Sequence, residues 1–294
     1  MKQPVLIFSI LLLFTGNAST QLLYKCESAR KDTVTWVLGT MHVMERKYFA
    51  HDPMLDSLVA ASKVVFVEPL FNDSSNRNFR HDLSRAAKAV YFENDKKLSD
   101  FVPPAELKLI ESFYTKQLNI SRKKLRSHYR FIPYFMLYHL SYNPDQKLVK
   151  LDDLVIQKAK HYRKKIVALD HADSIVNAFH KLRDIYSPAW LTQNYEHTQN
   201  INSQIKQAYL QQDTCYLKKH IGTPEDLDYD ALIRERNNSW KKLIANKSST
   251  HNFLAAGMDH VLAPGDGLLD YYQQQGYTIT PVNLKITKLQ AAGR

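Results

Sequence analysis

Apolar positions in this chain fall into two patterns: short continuous runs, and longer stretches in which they recur every three or four residues. The short runs are Val34 to Leu38, Val64 to Val67, Ile166 to Leu169 and Phe253 to Ala256. Runs of four or five residues bounded by polar or turn residues predict strands, and a fully apolar run such as Val64 to Val67 predicts burial on both faces under covering helices. Tyr24 to Glu27, set before Val34 to Leu38 across the polar Arg30-Lys31-Asp32, predicts an opening β-hairpin. A last strand is expected over Tyr277 to Val282, with Leu284 to Leu289 as its extension or a short edge strand.

Between these runs the spacing turns helical. Met54, Leu55, Leu58 and Val59 follow Asp52 as cap and Pro53 in the first turn. Pro103-Pro104 opens a helix through Leu107, Ile110 and Phe113, and Pro133 another through Phe135, Leu137, Tyr138 and Leu140. Further helices are predicted from Asp152 to about Arg163, through Ile175, Phe179 and Leu182, and from about 188 to 247 with a break at Gly222-Thr223-Pro224. Asp266 is expected to cap a helix through Leu268, Leu269 and Tyr272 that stops at Gly276. The pattern predicts an α/β fold: a mixed sheet, mostly parallel at its centre and flanked by helices, with an aromatic-rich helical insertion over about 70–150. A single domain over 19–294 is the simplest division.

The first 18 residues read differently. Lys2 precedes the apolar run Val5 to Phe14, which is short for a membrane span, and Gly16-Asn17-Ala18 suits a cleavage site. These features predict a signal peptide cleaved near Ala18 and a protein exported to the periplasm or secreted; an uncleaved anchor is the alternative. An oxidising compartment would permit a bridge between the two cysteines, Cys26 and Cys215, and two buried free thiols are an equal reading.

With 44% hydrophobic and 23% charged residues the chain is globular rather than disordered. The net charge of +11 is dispersed, with local clusters at Arg122-Lys123-Lys124 and Arg163-Lys164-Lys165. No nucleic-acid-binding motif accompanies it, and no nucleic-acid partner is expected. Solvated helix faces, with peripheral attraction to anionic envelope surfaces, are the expected role of this charge.

Candidate chemistry gathers at strand ends. Gly39-Thr40-Met41-His42 follows the first apolar run and Gly257-Met258-Asp259-His260 follows the fourth. Glu68 follows the second run, and Asp170-His171 follows the third. If those strands are parallel, all four groups stand along one sheet edge, where open α/β sheets bind ligands. Two imidazoles and a carboxylate suit a divalent transition metal, and zinc is one candidate. The same groups could instead activate water without metal, Glu68 acting as base. Blander roles compete: Glu68 and Asp170 as capping carboxylates, and Arg236 and Asn237 on a solvated helix face. An arginine near the site could also bind a substrate carboxylate or an oxyanion. There is no Gly-x-Ser-x-Gly elbow, no His-Glu-x-x-His helix and no phosphate-binding glycine loop.

These residues resemble the TraB/PrgY/GumN family, which includes the Tiki proteins. The resemblance runs from about 24 to 283. It rests on Leu38-Gly39-Thr40-Met41-His42-Val43, Val67-Glu68, Arg236-Asn237, Gly257-Met258-Asp259-His260, Gly267-Leu268-Leu269 and Gly276-Tyr277-Thr278-Ile279. The family's mid-chain aspartate falls on Asp152. The resemblance implies an α/β fold in which His42, His260 and Glu68 face one cleft, bind manganese or cobalt and serve a metal-dependent protease. Arg236, Asn237, Asp170 and His171 would bind substrate or support the site. Two departures stand out: Asp170 where the family usually has glutamate, and Val261-Leu262-Ala263-Pro264 where His-Leu-x-Gly is more typical. The function expected is that of an exported metal-dependent hydrolase acting on peptides or proteins. The alternatives are an inactive protein holding a peptide, haem or metal in the same cleft, and a metal-independent His/Glu hydrolase.

Overall fold

A computed structural model describes residues 21–41, 44–45, 53–68, 88–140, 148–149, 151–187, 189–193, 195–220, 226 and 228–284. The predicted signal peptide, His42, Asp52, Gly222-Thr223-Pro224 and the chain after Leu284 lie outside the described residues, as does the insertion at 69–87 and 141–147.

The centre is a six-stranded sheet, and the fold class is α/β. Its strands are β1 (Leu23–Glu27), β2 (Val34–Thr40), β4 (Val64–Val67), β6 (Lys165–Ala168), β7 (His251–Gly257) and β8 (Thr278–Val282), in the order β6-β4-β7-β2-β1-β8. β6, β4, β7 and β2 are mutually parallel. The expected hairpin pairs β1 antiparallel to β2, and β8 closes the other side of β1. A separate two-stranded ribbon joins β3 (Met44–Glu45) to β5 (Leu148–Val149), a pairing too short for the apolar pattern to reveal.

Side chains alternate across the strands, so one apolar run feeds two cores. Val65, Val67, Phe253 and Ala255 face α1 (Pro53–Ala61) and α5 (Leu151–His161), meeting Leu55, Val59, Val155 and Ile156. Val64, Phe66, Leu254 and Ala256 face the other layer, which includes α8 (Tyr195–Leu210), α9 (Thr214–His220), α10 (Glu235–Lys247), α11 (Met258–Leu262) and α12 (Leu268–Gln274). Tyr209, Leu217, Trp240, Ile244 and Leu268 fill it. Each large side chain buried this way contributes about 1.5–3 kcal/mol.

The insertion contains α2 (Pro104–Leu118), α3 (Arg122–Arg126) and α4 (Pro133–Leu140). Its core, including Leu98, Ile110, Tyr114, Leu125, Tyr129 and Met136, is separate from the sheet's. Glu111 is buried there and accepts hydrogen bonds from Arg126 and Tyr129. Beyond it, α6 (Ala172–Ile185) follows β6, and α7 (Trp190–Gln193) precedes α8. No helix of the described residues is long and apolar enough to cross a membrane.

Two local readings are corrected. Asp266 does not cap α12; Gly267 occupies that position without a side-chain bond, while the Asp266 carboxylate accepts from Tyr229 and Arg234. Asp170 does not cap α6 either. His171 is the N-cap residue, and Asp170 turns inward. Cys26 is buried, Cys215 is exposed, and both are free thiols.

Candidate functional site

The parallel register brings the C-terminal ends of β2, β7, β4 and β6 to one edge, as the strand-end pattern required. Gly39 and Gly257 close neighbouring strands there: Gly39 pairs with Ala256, and Thr40 with Gly257. A Cβ on Gly39 would stand 3.4 Å from both Cα and Cβ of Met258. The glycine of the first motif therefore admits the backbone of the second. Tyr209, fully buried, donates to the Gly39 carbonyl at 2.9 Å. Thr40 donates to the buried Asp152 at 2.7 Å. Both ties anchor the chain two and three residues before His42, which itself lies outside the described residues.

Glu68 emerges from β4 and is 3% exposed. Its Oε2 accepts from the Gly257 N–H at 2.6 Å and its Oε1 from Arg236 Nη2 at 2.7 Å. Arg236 reaches back to Asp170 at the end of β6, donating from Nε at 3.1 Å and from Nη2 at 2.6 Å. Trp240, one helical turn further along α10, donates its indole N–H to the same carboxylate at 2.8 Å. One guanidinium thus bridges two buried carboxylates. Burial opposes the charge on Arg236, but Asp170 and Glu68 outweigh it and hold the arginine pKa above its ordinary value. Arg236 is not a solvated surface arginine: Nε and Nη2 are committed to the two carboxylates and Nη1 donates to the Leu232 carbonyl.

His260 does not stand in a loop. Gly257 is the N-cap of α11, and the histidine lies inside that short helix, 3% exposed. The Asn237 amide NH2 donates to two backbone carbonyls, those of His260 and Asp266, each at 3.0 Å. That fixes the amide orientation, because a carbonyl can only accept. Asn237 Oδ1 then faces His260 Nδ1 at 2.8 Å, and Nδ1 must carry the proton. In the neutral ring Nε2 is left as an electron-pair donor, 3.4 Å from Glu68 Oε1. Trp240 packs against the imidazole with ring centroids 4.2 Å apart.

Two electron-pair donors facing each other repel unless a cation or a proton lies between them. Their separation is close to the edge of a tetrahedral metal shell, whose nitrogen and oxygen ligands stand about 2.0–2.2 Å from the ion. The pair fits a divalent metal on donor chemistry. Among the described residues no group of three or more His, Cys, Asp and Glu converges as a metal shell. His171 is exposed and serves as the N-cap residue of α6.

Sequence reasoning missed Trp240 and Tyr209. Trp240 lies four residues after Arg236, a helical spacing that places both on one face of α10. No comparable signal links Tyr209 to Gly39.

A mixed α/β sheet with two Gly-x-x-His strand ends beside a buried glutamate defines the class of protein. The model of the TraB/PrgY/gumN family matches residues 22–281, and the chain belongs to that family. No curated protein and no solved structure matches the chain.

Proposed function

We propose that this protein is an exported metal-dependent hydrolase acting on peptide bonds, with its reaction centre at Glu68, His260 and His42. The observation that carries the reading is the juxtaposition of His260 Nε2 and Glu68 Oε1 at 3.4 Å, with the opposite ring nitrogen committed to Asn237. Such outer-shell support is what metal-ligating histidines receive. His260, Glu68 and His42 would hold the ion, with manganese, cobalt and zinc as the candidates. Bound there, it would lower the pKa of a water and polarise the scissile carbonyl.

The surrounding residues define the protein's own share. The Gly257 N–H and Arg236 bind both oxygens of Glu68 and favour its ionised form, so Glu68 serves as a ligand or electrostatic anchor better than as a strong base. Arg236 keeps Asp170 and Glu68 together. Asn237 and Trp240 hold the imidazole plane. Hydrolysis of a mixed peptide library by the full chain, with and without chelator, tests the reading. Cleavage that chelator abolishes, that added metal restores, and that His260→Ala and Glu68→Gln both lack is the expected result. Full cleavage in chelator would favour the metal-free His/Glu hydrolase, and ligand binding without turnover a binding protein.

A further inference from the structure

The parallel strands that gather the candidate site at one edge also fix what gathers at the other. β4, β6 and β7 begin there, and α1, α5 and α10 end there, each leading into one of those strands. Lys63 donates its backbone N–H to the His251 carbonyl at 2.8 Å, and Val64 stands opposite Lys165 in the ladder. Neighbouring strands are about 4.8 Å apart. Lys165 and His251 therefore flank the start of β4, one strand to either side.

The β6, β4 and β7 part of this edge carries one sign of charge; β2 also begins there, opposite His251, and its hairpin sets Arg30 and Lys31 beside Asp32 and Glu27. Residues 157–169 include five basic side chains and no acidic one, and residues 241–258 include three and none. Lys63, Lys160, Arg163, Lys165 and Lys247 are exposed, and Lys164 is half-buried. Lys158 is neutralised by Asp56, but none of those six is paired with a carboxylate among the described residues. Tyr162 stands among them, 36% exposed.

Arg163 adds an independent observation. Lys164 N–H donates to the Ala159 carbonyl at 2.8 Å and Arg163 N–H to the Lys160 carbonyl at 3.0 Å, which together form a Schellman cap on α5. The cap requires a left-handed residue, and Arg163 supplies it with φ +51°. The same cap uses Gly276 at φ +77° on α12 and Gln212 at φ +56° on α8. A cation near a helix C-terminus is favourable in itself, which accounts for Lys160 and Lys247. It does not account for Lys165, which opens a strand.

We propose that this edge docks the protein on an anionic lipid surface, with the edge that carries the Glu68–His260 pair turned away from it. Clustered lysines and arginines supply the attraction to acidic headgroups. Tyr162 is the amphipathic ring that a headgroup layer accepts. This inference does not depend on the hydrolase reading.

The test is co-sedimentation of the full chain with vesicles of phosphatidylcholine alone and with a third phosphatidylglycerol. Insertion of the apolar segment at 5–14 acts on both vesicle types, so the difference between them reports electrostatic attraction, and the two triple variants below assign it to an edge. Binding that requires phosphatidylglycerol and weakens with salt is expected. The triple variant Lys160→Gln, Arg163→Gln, Lys164→Gln should lose on the order of a hundredfold, about fivefold per charge. The control triple Lys108→Gln, Lys123→Gln, Lys124→Gln, with the same change in net charge, should retain most of the binding. Arg163→Gly should weaken binding about fivefold while raising the unfolding temperature by about 2–4 °C, a combination that misfolding does not produce. Equal losses in the two triples, equal binding to both vesicle types, or tighter capture by duplex DNA than by vesicles would overturn the proposal.

Discussion

At the scale of single residues, the tautomer of the neutral His260 ring is set by Asn237, whose amide NH2 is held by the backbone carbonyls of His260 and Asp266. Removing that amide should act twice. Asn237→Ala leaves one buried and one half-buried carbonyl without their donor, a cost of about 1–3 kcal/mol in urea unfolding. It should also weaken metal affinity by about 10–100-fold, read by titration under conditions where the variant remains folded. A variant destabilised to that degree with unchanged metal affinity would make Asn237 purely structural. Glu68 and His260 were legible as strand-end groups because one polar residue after an apolar run is a local signal. The role of Arg236 was not. Its partners lie 66 and 168 positions away in sequence, and local spacing cannot distinguish a solvated helix face from one that meets two buried carboxylates.

At the scale of elements, apolar runs identified all four parallel strands; burial on both faces explains the runs of β4 and β7, while the edge strand β6 keeps an apolar run although it is only half-buried. Their order was hidden: β7 lies between β4 and β2 although it follows both in the chain, a placement set by long-range packing. Capping was misread for a local reason. Aspartate is a good N-cap, but Arg234 and Tyr229 compete for Asp266, and the chain turns so tightly that only Gly267 fits. A Cβ at Gly267 would lie 2.6 Å from the Ala263 carbonyl oxygen and 2.8 Å from that of Val261. Backbone on both sides cannot yield cheaply. Gly267→Ala is therefore expected to destabilise by about 2 kcal/mol or more in denaturant unfolding, and to disturb α11, which carries His260. A loss below about 0.5 kcal/mol would show that the turn relaxes.

At the scale of the whole molecule, burial of ionisable groups against the sheet sets the alkaline limit of stability. Burial pushes the Cys26 thiol from 9.0 up to about 12, and the Tyr24 hydroxyl from 10.0 up to about 12. The folded chain keeps these protons where the unfolded chain releases them. Their contribution is fully present below pH 9 and is lost as pH rises toward about 12. Unfolding temperatures should fall progressively above pH 9, and Cys26→Ala should flatten the first part of that fall. A flat profile to pH 11 would contradict the burial argument. Everything proposed about chemistry rests on a cation shared by His260 and Glu68. The most direct test is metal content and affinity of the full chain, by elemental analysis and titration, beside His260→Ala. The account predicts close to one manganese, cobalt or zinc ion per chain in the parent protein and loss of that ion in the variant. No specific metal in the parent, or the same affinity in both, would contradict it.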